Sequence, residues 1–172
     1  VIEDREGLPI TLSILFMALA EKCGLDCIKP LPLPGHFMVR QQLASGDEQV
    51  IDLFEGGKRL SFKEADQMAW ERQGVSVDSQ QMQIPSKKGI ILRMIRNLQI
   101  FAGSEAGLEA SLPYLDLALA LDAFNTSLLL ERASTRLRMG LRDDAKKDFK
   151  TLLELLPADD SAESIRELYN TL

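Results

Sequence analysis

His36 is the only histidine in this chain, and Cys23 and Cys27 are its only thiols. An imidazole held by a carboxylate can act as a general base, and a thiol can act as a nucleophile or as a metal ligand. The two cysteines lie four positions apart across Gly24-Leu25-Asp26, near enough to reach each other. Two cysteines and one histidine cannot complete a tetrahedral zinc site, so no metal and no cofactor is expected. Asp52 sits in the extended segment that follows the one carrying His36. A turn centred on Gly46 sets Arg40 opposite Asp52 as a cross-strand ion pair, whereas a His36–Asp52 contact needs a longer, shifted register or a bulge. Both His36 and Asp52 fall on one face of the sheet either way. A single histidine beside Gly35 at a strand start equally suits a partly buried hydrogen-bonding role.

A second cluster is basic. Arg132, Arg136, Arg138, Arg142, Lys146, Lys147 and Lys150 run together against Asp143, Asp144 and Asp148. A solvated helical face accounts for such a run, and the sharper reading makes Arg132, Arg136, Arg138 and Arg142 a site for an acidic segment of a partner. Gly56-Gly57 after a strand reads as turn chemistry rather than as an anion-binding loop.

The elements that must carry these residues can be read from punctuation and period. Pro9 stands one residue before an apolar run, Ile10 to Cys23, and Gly24 follows it, which are start and stop signals for a helix. Leu12, Ile14, Leu15, Phe16, Met17 and Leu19 cover most of its circumference, which predicts a central helix wrapped by other elements. PLPLPG, from Pro30 to Gly35, reads as a rigid connection. His36–Leu43 and Gln49–Phe54 then form a β-hairpin about the Ser45–Glu48 turn. Ser61 followed by Glu64 is a capping box opening a helix with Met68 and Trp70 in its core. Residues 74–85 lose periodicity and charge. Helices are predicted at about 86–102, 107–121, 126–139, 142–156 and 161–171. An internal repeat at an offset of 35 pairs Ala110 with Ala145, Tyr114 with Phe149, Leu117 with Leu152 and Leu121 with Leu156.

Composition narrows the function classes. The chain has 172 residues, 45% of them hydrophobic and 27% charged, as in ordinary globular domains. Twenty Lys and Arg against 26 Asp and Glu give a net charge of −6 and a pI near 4.9, a field that repels phosphate backbones and anionic lipid. No apolar run reaches the roughly 18 residues of a membrane span. Neither nucleic acid nor membrane is expected as a partner, and the cysteine usage fits a reducing, cytoplasmic compartment. Beginning at Val1 with no leader, the chain reads as the later part of a longer protein.

The strings REGLPITLSILFMALAEKCGL, PLPGHFMVR and VIDLFEGGKRLS resemble the transglutaminase-like family of the papain-type fold, most closely its bacterial SirB-type branch. The 34-residue unit Thr126–Asp159, with Ala133, Gly140, Ala145, Phe149 and Pro157, resembles a tetratricopeptide repeat. The resemblance implies an α+β transglutaminase-like core at residues 1–77, lacking its N-terminal part, and a linker at 78–85. An all-α region of two tetratricopeptide-like repeats and a capping helix would follow at 86–172. It also implies a Cys–His–Asp triad, with a thiol activated at a helix N-terminus. His36 takes the base position and Asp52 the orienting position, but Pro9 occupies the nucleophile's place. The expected function is therefore that of a non-catalytic regulatory or scaffolding module that binds a protein partner. The alternative is a hydrolase or acyltransferase acting on peptide or amide bonds with Ser13 or Thr11 in place of the missing cysteine.

Overall fold

A computed structural model describes residues 6–76, 83–157 and 160–172. The chain divides into two units, Val1–Ser86 and Lys87–Leu172. Most of the predicted linker, residues 78–82, lies outside the described residues, as does Arg5 of the first motif.

The first unit is a four-stranded antiparallel sheet between two helices. Helix α1 (Pro9–Lys22) is followed by β1 (Ile28–Leu33), β2 (His36–Gln42), β3 (Glu48–Asp52), β4 (Lys58–Leu60) and α2 (Phe62–Gln73), and the strands lie in the order β1-β2-β3-β4. Alternation along the strands divides the core in two. Ile28, Val39 and Ile51 pack with Ala20, Phe16 and Met17 of α1, while Leu31, Leu33, Met38, Val50 and Leu60 pack with Phe62, Ala65 and Met68 of α2.

Three expectations are corrected here. The PLPLPG stretch is largely a strand: β1 is an edge strand, and Pro30 and Pro32 pair with Val39 and Phe37 at alternate positions. Their missing N–H groups fall on the side away from β2, so no ladder bond is lost. Helix α1 is not wrapped on all sides: within it only Ile10, Ser13 and Ala20 are buried, and Leu19 is 55% exposed. Trp70 is not core either, at 56% exposed, because the buried seam of α2 runs through Ala65 and Ala69 and leaves position 70 a step off it. The capping box is present: Glu64 N–H donates to Ser61 Oγ, and Ser61 N–H donates to Glu64 Oε2.

The second unit consists of α3 (Lys87–Ala106), α4 (Leu108–Leu121), α5 (Thr126–Arg138), α6 (Arg142–Leu155) and α7 (Asp160–Thr171), each packed on the next. Leu119, Leu129, Ala133, Ala145, Phe149 and Leu152 form its main core, against which Ile165 and Tyr169 of α7 rest. Element starts recur at 34 positions, from Leu108 to Arg142 and from Thr126 to Asp160. Buried residues follow the same step, Ser111, Leu115 and Ala118 corresponding to Ala145, Phe149 and Leu152. The offset of 35 is thus one too long. It aligns identical or similar residues, but Leu117 is 50% exposed where Leu152 is 1% exposed, and packing is decided by the face and not by the letter. Among the described residues no helix is long and apolar enough to cross a membrane.

Candidate functional site

His36 and Asp52 are brought together by a register that neither sequence alternative named. In the β2–β3 ladder Val39 faces Ile51 and Arg40 faces Val50, so the hairpin centres on position 45. His36 therefore lies diagonally across from Asp52, a spacing that a long side chain spans. Its Nε2 is 2.9 Å from Asp52 Oδ2. Arg40 is not a partner of Asp52; its guanidinium approaches Glu48 at 3.8 Å.

The site is built by two turns. Pro34-Gly35 closes the β1–β2 hairpin directly before His36, with Gly35 at φ +68°. A side chain at Gly35 would be strained by that backbone conformation and would also force Gln73 of α2 to move, since its Nε2 would lie 2.6 Å from an added Cβ. After β3 the chain turns back on Asp52, whose Oδ1 accepts from the N–H groups of Phe54 and Glu55 at 3.0 and 3.2 Å. Asp52 is 0% exposed, and three donors supply the hydrogen bonds that a buried carboxylate requires. His36 is 4% exposed, and the Phe54 ring meets it edge-on with centroids 6.1 Å apart.

The other ring nitrogen has a partner that sequence reasoning missed. Arg72 Nη1 lies 3.4 Å from His36 Nδ1. A guanidinium has donors only, so a hydrogen bond between the two requires Nδ1 as the acceptor, and the tautomer that allows it has its N–H at Nε2, facing Asp52. Arg72 lies 36 positions from His36 at the end of α2, and no local pattern points from one to the other.

Candidate nucleophiles are placed as follows. Pro9 is the first residue of α1, behind Leu8 at the N-cap. The Ser13 hydroxyl, 0% exposed, donates to the Phe37 carbonyl at 3.3 Å, and that of Thr11 donates to the Leu8 carbonyl at 2.9 Å. Both hydroxyl protons are directed at main-chain oxygens. Strand alternation also sets His36 and Asp52 on the face that α2 covers, opposite the one packed on α1. Cys23 is the C-cap of α1, about 20 Å from Pro9 at ~1.5 Å per residue. Among the described residues no group of three or more His, Cys, Asp or Glu is placed to hold a metal ion.

The four arginines of the basic cluster separate into two kinds. Arg132 makes a two-point contact with Asp148, through Nε at 3.0 Å and Nη2 at 2.6 Å, and reaches Asp116 at 2.7 Å. Arg136 donates to the same two carboxylates at 2.7 and 3.4 Å. Burial works against the charge on Arg132, yet the hydrogen bonds to Asp148 and Asp116 outweigh it and hold its pKa above the usual value. Arg138 and Arg142 are exposed and make none of these contacts.

Comparison with known proteins agrees with the motif strings. Mouse and human F-box only protein 21 are each 30% identical over 167 residues, covering 91% of this chain, and the orangutan protein of that name is 30% identical over 152 residues. The chain spans about a quarter of the length of these relatives. The sequence profile of the transglutaminase-like superfamily matches residues 1–96, more than half of the chain. This chain therefore belongs to the transglutaminase-like superfamily.

Proposed function

We propose that this protein is a non-catalytic member of its superfamily: a transglutaminase-like domain at 1–77 joined to tetratricopeptide-like repeats at 86–172, acting as a regulatory or scaffolding module for a protein partner. One observation carries the reading. Where the family resemblance puts a thiol at the head of α1 there is Pro9, and the His36 nitrogen left over by Asp52 accepts from Arg72. A base whose accepting nitrogen faces a guanidinium has no proton to take from it, because arginine stays protonated in proteins. The 34-residue recurrence of elements supports the tetratricopeptide assignment. That relatives covering 91% of the chain are named F-box proteins supports an interaction role. The SirB-type assignment rests on the motif strings, and a cytoplasmic setting rests on the two unpaired thiols.

The test is chemical labelling. Native protein and His36→Ala are treated with a fluorophosphonate and an iodoacetamide probe, and labelled residues are mapped by mass spectrometry. The expected outcome is no label that depends on His36, with only slow reaction at Cys23 and Cys27. Labelling of Ser13, Thr11 or a cysteine that vanishes in His36→Ala overturns the reading.

A further inference from the structure

We propose that a cavity in the helical unit, between α3, α4 and α5, binds a short peptide segment of the partner that presents an acidic side chain beside an apolar one. The cavity has a volume of about 290 Å³, room for one or two side chains and below the usual range for a cofactor pocket. Ile100 and Leu108 make one side apolar. Gly103 keeps that side open, since an added Cβ would meet only the Ser111 Cβ at 3.5 Å, an ordinary contact.

The opposite side is donor-rich. Thr135 is 7% exposed, lines the cavity, and its hydroxyl has no hydrogen-bond partner among the described residues. Ser134 adds a second hydroxyl, and Arg138, one turn on from Thr135, adds a guanidinium with no carboxylate within ion-pair distance among the described residues. Arg132 and Arg136 of the same helix are consumed by Asp116 and Asp148, so Arg138 is the one whose charge is left for an outside anion. Glu131 also lines the cavity, but its carboxylate is taken up by Arg96 and by Gln99 Nε2. One guanidinium and two hydroxyls beside a neutralised glutamate match a singly charged carboxylate, and the apolar side takes its neighbour. Lys87–Leu172 carries 12 Lys and Arg against 13 Asp and Glu, so the chain's acidity does not oppose an anion here as it does in the first unit.

This assignment rests on the interaction reading and names its chemistry. It is tested by selecting phage-displayed random heptapeptides on the full chain and measuring the enriched peptides by fluorescence anisotropy. The expected consensus has Asp or Glu next to an apolar residue. Arg138→Glu and Gly103→Leu, both compatible with the helices as built, each weaken binding at least about tenfold without lowering the thermal melt, while Arg166→Glu, on α7 and outside the cavity lining, stays within about twofold. Failure to enrich acidic peptides overturns the proposal. Peptides that bind Arg138→Glu and Gly103→Leu as tightly as the native chain also overturn it, though the interaction reading then survives. His36-dependent labelling in the probe experiment removes the non-catalytic reading without touching this cavity.

Discussion

Asp52 in the sheet unit and Asp148 in the helical unit are both almost fully buried carboxylates, at 0% and 3% exposed, yet their partners differ in kind. Asp52 is held by an imidazole and by two main-chain N–H groups supplied by the turn that follows it. Asp148 is held by the side chains of two arginines, through three bonds of 2.6 to 3.0 Å. Main-chain donors come with the turn and remain when a neighbouring side chain is cut. Arginine donors bring charges that depend on the carboxylate as much as it depends on them. The first arrangement orients a ring, whereas the second ties helices α5 and α6 to each other and to Asp116 of α4.

Removing the acid from each cluster is the most direct way to break that comparison. Asp148→Ala leaves two largely buried guanidinium groups with only the half-exposed Asp116 and should destabilise the protein by about 3–5 kcal/mol in urea denaturation. Asp116→Ala should cost under about 1 kcal/mol. Equal costs for the two would show that burial does not set the strength of this network. In the sheet unit Asp52→Ala should cost ~1–3 kcal/mol, the range for buried donors left unpaired. A double-mutant cycle with His36→Ala should give a coupling above about 0.5 kcal/mol, and the cycle with Arg40→Ala should be additive, since Arg40 faces Val50. Coupling to Arg40 instead would mean that the hairpin uses the register centred on Gly46.

The smallest contrast lies in how the helices begin. α2 has the reciprocal Ser61–Glu64 cap, while α4 and α6 begin at Gly107 and Leu141 with no side-chain cap bond. The main-chain N–H of Ser61, followed by its hydroxyl, holds the Glu64 carboxyl below its ordinary pKa. A folded-state value below the unfolded one gives a contribution that is full above the unfolded value and is lost as pH falls through the folded one. Ser61→Ala should therefore destabilise the protein by ~1 kcal/mol near neutrality. The gap to the native chain should shrink as the pH drops below the usual glutamate range. A gap that does not change with pH would remove Glu64 from the account.

Local chemistry was legible in the sequence wherever one residue type decides the outcome. Pro9 at the head of α1, the Ser61–Glu64 box and the inward Ala145 and Phe149 all follow from such signals. What was not legible depends on neighbours. Prolines argue against a strand, and only the edge position of β1 admits Pro30 and Pro32. The apolar run of α1 carries no mark of which side meets the sheet. At the site, His36 and Asp52 could be named from the motif, but their diagonal contact depends on a one-residue choice of hairpin register. The approach of Arg72 depends on where a helix 36 positions later comes to rest.

The prolines of β1 also bear on how the chain behaves in company. The outer border of a sheet ordinarily offers a row of N–H and C=O groups on which a foreign strand can assemble, the first step of edge-to-edge aggregation. In β1 the residues whose main chain points outward include Pro30 and Pro32, and proline contributes no N–H. An incoming strand would find acceptors there with two successive donors missing. The residues that look least suited to a strand leave this border of the sheet unable to recruit another one.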